Sequence, residues 1–180
     1  MLPSARISTG VVAMVVLCAG CGSSSNPASP TQAPAIQLDQ ANAPAWQGAW
    51  TVIGAASAVP RLAQTFVPSK AALSGVEIDL ITANPPGSAQ ITVRVVDANR
   101  TLASMTQIIA AGFDGKLRFD FPSVATVTPG VPLQLQVEDS SDRVFGWRYG
   151  SNTYAAGAAF FNGTPWNGGA FDFFFRTYGY

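Results

Sequence analysis

The chain contains no histidine, and its two cysteines, Cys18 and Cys21, both stand near the N-terminus. Without imidazole there is no Ser-His-Asp triad, no Cys-His pair and no histidine metal site. With no cysteine after residue 21, the rest of the chain has neither disulfide nor free thiol and folds on its hydrophobic core alone. Charge is scarce too: ten Lys and Arg balance ten Asp and Glu, and charged residues are 11% of the chain. That balance lacks the clustered positive field of a nucleic-acid binder, so no nucleic-acid partner is expected. Also missing are G-x-S-x-G, a Ser three residues before Lys70 or Lys116, phosphate-cradling glycine patterns and CxxC after the leader. At 180 residues and 48% hydrophobic, the chain is too apolar for disorder and has the length of one ordinary domain with short appendages.

What is present begins with an export signal over residues 1–20. Arg6 supplies the positive start, Val11 to Leu17 a short apolar run, and Ala19-Gly20 the small residues of a cleavage site before Cys21. The run falls short of the about 20 apolar residues of a membrane-spanning helix. Residues 21–35 are rich in Ser, Pro and Ala, hold almost no bulky apolar side chain, and read as a flexible tether. From residue 36 to 180 the composition turns globular and stays so, a length that buries about two-thirds of its unfolded surface.

Alternation with period two dominates that stretch. Val76, Ile78 and Leu80 alternate with Glu77 and Asp79; Ile91, Val93 and Val95 with Thr92 and Arg94. Leu117, Phe119 and Phe121 alternate with Arg118 and Asp120, and Leu133, Leu135 and Val137 with Gln134, Gln136 and Glu138. Successive strand side chains point to opposite faces, so each run predicts a half-buried strand. Further strands are expected at 49–53, 63–67, 102–109, 145–149 and 171–178. Turn residues separate them: Asn84-Pro85-Pro86-Gly87, Asp97-Ala98-Asn99, Gly112 to Gly115, Thr128-Pro129-Gly130 and Asp139 to Asp142. About nine strands with one polar face each predict an all-β fold, an antiparallel β-sandwich of the jelly-roll type.

Without imidazole or thiol, only oxygen ligands remain for a metal, which restricts the choice to Ca²⁺ or Mg²⁺. The acidic turns Asp139/Asp142 and Asp97/Asn99 have no EF-hand spacing and read as Asx-turns, so no metal and no cofactor are expected. Asp79, Asp120 and Glu138 fall on outward strand positions and Asp172 near the C-terminus; nothing in the sequence pairs two of them as a glycosidase requires, and they read as a solvated sheet face. Arg176 is expected to project outward or to pair with an acid across the sheet. Trp46 and Trp50 are expected to seal the sandwich at its first strand, and Phe160-Phe161 and Phe173 to Phe175 to fill the core.

The aromatic residues carry more information. Between Phe145 and Asn167, rings interleave with Asn, Arg and Gly. Flat rings that stack on a sugar face, beside amides that bond its hydroxyls, make a saccharide site. The expected ligand residues are Trp147, Tyr149, Asn152, Tyr154, Asn162 and Trp166. The alternative for Trp147 is burial, because Phe145, Trp147 and Tyr149 alternate as one strand face. Asn162-Gly163-Thr164 matches a glycosylation sequon and is read as a turn.

Two resemblances add to this. Leu17-Cys18-Ala19-Gly20-Cys21 resembles the bacterial lipoprotein lipobox, which implies lipidation at Cys21, a membrane anchor of several acyl chains and a place in the cell envelope. Gly22, where some lipoproteins carry an Asp retention signal, favours the outer membrane where there is one. Ala63-Gln64-Thr65-Phe66, Leu73-Ser74-Gly75-Val76, Val127-Thr128-Pro129-Gly130, Thr153 to Gly157 and Asp172 to Tyr178 resemble landmarks of secreted bacterial β-sandwich modules, similar to carbohydrate-binding and galactose-binding-like jelly rolls. The resemblance implies a non-enzymatic ligand-binding module and transfers no catalytic residue. The expected partner is therefore a glycan or other envelope component. The alternative is a structural part of an envelope protein assembly, since few charges oppose association.

Overall fold

The computed structural model describes residues 32–43, 45–53, 61–82, 87–98, 100–139 and 144–180. The expected export signal, Cys21, most of the expected tether, the Asn84-Pro85-Pro86 turn, Asn99 and Asp142 lie outside the described residues, as do the side chains of Trp46 and Trp50.

Thirteen strands are described: β1 (Gln37–Asn42), β2 (Trp46–Ile53), β3 (Leu62–Phe66), β4 (Ala72–Thr82), β5 (Ala89–Asp97), β6 (Arg100–Ile109) and β7 (Asp114–Thr126). They continue with β8 (Leu133–Asp139), β9 (Val144–Ser151), β10 (Ala159–Phe161), β11 (Thr164–Pro165), β12 (Phe171–Phe173) and β13 (Phe175–Gly179). One sheet runs β1-β13-β4-β9-β12, with β7 paired to β4 and β2 to β9; the other runs β11-β10-β3-β8-β5-β6. Every pairing is antiparallel. The fold is an all-β sandwich, as the alternating pattern predicts.

Period two explains which side chains meet between the sheets. Ile91, Val93 and Val95 of β5 and Leu133, Leu135 and Val137 of β8 face Val76, Ile78 and Leu80 of β4 and Phe119 of β7, all buried. The aromatic part of the core lies along β9, β12 and β13, where Trp147 stacks on Phe173 at 4.3 Å and Phe175 meets Phe66 at 6.0 Å. Burying each such large side chain contributes about 1.5–3 kcal/mol.

The expected strand 171–178 is two strands, because the chain changes partner. Phe171–Phe173 pair with β9, whereas Phe175–Gly179 pair with β4. At the crossing, the Phe174 N–H donates to the Arg148 carbonyl, and the Phe174 carbonyl accepts the Trp147 indole N–H at 2.7 Å. β7 is likewise irregular, its register on β4 jumping between Asp120 and Ala125, around Pro122. Proline has no N–H for a ladder and is tolerated at such an irregularity.

A buried polar link joins the sheets. Asp172 on β12 accepts the Gln64 side-chain amide of β3 at 3.0 Å and the backbone N–H groups of Thr153 and Tyr154 at 2.9 Å. Gln64 in turn accepts the Phe173 N–H at 2.8 Å. Asp172 and Gln64 are both fully buried, and each oxygen of the carboxylate has a donor. Such satisfaction is what makes a buried polar group tolerable.

Candidate functional site

The outer face of the β11-β10-β3-β8-β5-β6 sheet is built from the positions that alternate with the core. On β8 these are Gln134, Gln136 and Glu138, on β5 Thr92, Arg94 and Val96, on β3 Ala63 and Thr65. Register sets their neighbours: Gln136 stands opposite Ala63 on one side and Arg94 on the other, and Gln134 opposite Thr65 and Val96. The small side chain of Ala63 leaves a depression between Gln136 and the β10–β11 hairpin.

Two connected hollows result. The first, about 350 Å³, is lined by Arg61, Ala63, Gln134, Gln136, Asn162 and Gly163. The second, about 330 Å³, shares Arg61, Gln134 and Gln136 and extends over Arg94, Val96, Ala98 and Thr101. Together they form one groove crossing from β10 to β6, a span of about 19 Å at the usual strand spacing. Each hollow is of the size that holds a small ligand. The lining is held rather than loose. Gln136 Nε2 donates to Gln134 Oε1 at 2.6 Å, Arg61 Nε to Glu138 Oε1 at 2.9 Å, and Arg94 pairs with the other oxygen of Glu138. Asn162 Oδ1 accepts the Arg61 N–H at 2.9 Å.

The hairpin that closes one end has a local cause. Asn162 and Gly163 have φ of 49° and 79°, the two successive left-handed residues of a tight two-residue turn, and Asn-Gly is the pair best suited to it. The sequon therefore sits on a turn, as expected.

The six residues expected to bind ligand are not gathered into one site. Trp147 is a correction: it is 0% exposed, stacked on Phe173, with its N–H satisfied internally, and so cannot offer a face to a sugar. The burial alternative, from its alternation with Phe145, is the one realised. Tyr149 and Trp166 are half-buried and turned on each other, edge to face at 4.3 Å, with Phe171 against both. Their rings close the space beside β12. Tyr154 packs edge-on to Phe175; its hydroxyl accepts the Val67 N–H and donates to Gln40, both at 3.1 Å, and burial raises its phenol above the ordinary value. Asn152 is exposed and its amide donates to the Gly169 carbonyl at 2.7 Å, holding a turn. Only Asn162 lines the groove. No sequence signal marks Arg61, Arg94, Gln134 or Gln136 as ligand residues, although the alternation of 134 and 136 with core residues puts both on a polar face.

Two of the four carboxylates, Asp79 and Asp172, differ from a solvated face, while the Asp120 side chain is 69% exposed beside Arg118. Asp172 is the buried link described above. Asp79 is buried near the junction of β4, β9 and β13, with Arg148 Nε 3.5 Å from its Oδ1, an oxygen that takes no hydrogen bond from the described residues. Burial raises its pKa, more than the nearby Arg148 and Lys116 lower it. Glu77 and Asp79 share a hollow of about 10 Å³, room for one water, and Glu77 is paired with Arg176 at 3.1 Å. Asp139 is buried at the end of β8. Among the described residues no group of three or more His, Cys, Asp or Glu could hold a metal ion. No protein-family model matches the chain, and no curated protein matches it significantly.

Proposed function

We propose that the chain is an exported lipoprotein, anchored through Cys21, whose β-sandwich is a non-enzymatic module binding a saccharide of the cell envelope. The observation that supports the saccharide is the groove: two joined hollows of about 350 and 330 Å³ whose polar lining is amide, guanidinium and hydroxyl on a rigid sheet. Amide and guanidinium groups match hydroxyl-rich ligands, since each donor or acceptor meets a partner and none is left desolvated and unpaired. The export signal and tether supply the placement, with the outer membrane favoured.

The test is binding of the full chain to an array of envelope glycans, with Gln134→Ala/Gln136→Ala as the control. Retention of one glycan class that falls about tenfold or more in the double variant supports the reading. Unchanged retention in that variant sinks the groove, and loss of fatty-acyl labelling in a Cys21→Ser protein is the result expected of the anchor.

A second reading, a structural component of an envelope assembly, has one observation in its favour. Ile108 is 74% exposed on β6, the last strand of its sheet, where an apolar side chain and a strand end suit pairing with another protein. One recurrent partner at Ile108 in crosslinked envelopes would favour it.

A further inference from the structure

We infer that the groove selects an anionic saccharide, one bearing carboxylate, sulfate or phosphate groups, over a neutral one; this deepens the saccharide reading and rests on it. The charged residues lining the two hollows are Arg61 and Arg94, with no carboxylate among the lining residues described. Glu138 lies between the two and meets each guanidinium with a different oxygen, Oε1 to Arg61 Nε at 2.9 Å and Oε2 to Arg94. One carboxylate against two guanidiniums leaves one positive charge in excess, in a chain whose formal net charge is zero.

The unused donors matter as much as the charge. A guanidinium carries five N–H donors in a planar fork. Among the described residues, neither arginine side chain has an acceptor other than Glu138. The side chain of Arg61 is 56% exposed and that of Arg94 34%, so the free edges of both forks are open to the groove. Glu138, at 17%, is the more buried partner. It tethers the two arginines instead of occupying the groove itself. An oxyanion on a bound sugar would take the free N–H groups of either fork, a charge-assisted bond about twice as strong as a neutral one. The amides of Gln134 and Gln136, which line both hollows, remain for hydroxyls.

The experiment is titration of the full chain with three oligosaccharides of equal length: an oligogalacturonate, its carboxyl-reduced neutral counterpart, and a sulfated chain. It is run at about 0.01 M and about 0.15 M salt, where the screening length falls from about 30 to about 8 Å. The variants are Arg61→Gln, Arg94→Gln and Glu138→Gln, each checked for its melting transition. The expected result is about tenfold tighter binding of an anionic ligand than of the neutral one, narrowing at the higher salt. That preference shrinks in Arg61→Gln or Arg94→Gln and widens in Glu138→Gln, which removes the neutralising charge. Whichever anion is preferred, carboxylate or sulfate, identifies the ligand group. Equal binding of the neutral and anionic chains, both weakened by Gln134→Ala/Gln136→Ala, overturns the selectivity while leaving the saccharide groove standing. An anionic preference untouched by either arginine variant overturns the assignment to these residues. Binding of none of the three overturns this inference, and the glycan array decides separately whether the saccharide reading falls with it.

Discussion

Asp79 is the residue whose environment conflicts most with its charge. Burial opposes ionisation, Arg148 and Lys116 favour it, and the net effect is a raised pKa. The sign follows from linkage: with the folded pKa above the ordinary 3.8, the folded chain holds this proton more tightly than the unfolded chain. Asp79 therefore makes stability fall as pH rises from about 3.8 through the raised folded value, and the cost of the buried charge persists above that window. Asp79→Asn keeps the shape and removes the charge, while Arg148 retains Asp114 as a partner. The variant is expected to melt above the parent at neutral pH and to converge with it in acid, read from thermal melts across that range. A lower melting temperature at neutral pH would mean that attraction to Arg148 outweighs burial. The sequence placed Asp79 on an outward strand position, and it is there. Its burial was not legible, because it depends on β9 and β13 meeting β4 beside it.

At the scale of the element, the β10–β11 hairpin is where local sequence and proposed site coincide. Its turn needs φ above zero at both central residues, which Asn162 and Gly163 supply. Gly163→Val would force a β-branched residue into that region at a cost of about 1–3 kcal/mol. Because Asn162 also holds the Arg61 backbone, the expected outcome is a lower melting temperature together with weaker ligand retention. Wild-type retention at reduced stability would show that the hairpin is not part of the site. The turn was readable from Asn-Gly alone. The strands it joins, β10 and β11, were not, since three and two residues show no period. β1 escaped for another reason: Leu38 is its single large apolar side chain and is half exposed, so Gln37–Asn42 carries no alternation to read.

For the whole molecule, the question is what keeps two sheets in one alignment when apolar packing is non-directional. The Gln64–Asp172 link supplies direction, because its hydrogen bonds are satisfied at one relative position of β3 and β12. Asp172→Ala leaves the Gln64 amide and the Thr153 and Tyr154 N–H groups without their acceptor in the interior, with an expected loss of about 3–5 kcal/mol. Chemical denaturation would measure it, and a loss under about 1 kcal/mol would show that water or a neighbour replaces the carboxylate. Three of the five fragments that resemble secreted modules, those holding Gln64, Thr153 to Gly157 and Asp172, meet at this link. Gly157 belongs there too, since a side chain on it would collide with the Thr65 carbonyl. Their shared pattern is thus a packing requirement in this chain, and it says little about ligand.

The alternating strands of the core, the turns at Gly112 and Pro129-Gly130 and the all-β class were determined by the sequence itself. Period-two alternation and turn chemistry are local, and each residue's preference can be read from its neighbours. Trp147 is an expected ligand residue in the sequence, and the tertiary structure moved it to the core by stacking it on Phe173. The groove was decided entirely at that level. Residues 61–63, 94–101 and 134–136 are far apart in the chain and become neighbours only because β3 and β5 both pair with β8. A polar residue on an outward strand position looks the same whether it faces water or a ligand. Strand order is what separates the two, and strand pairing is a long-range outcome of burying every apolar face at once.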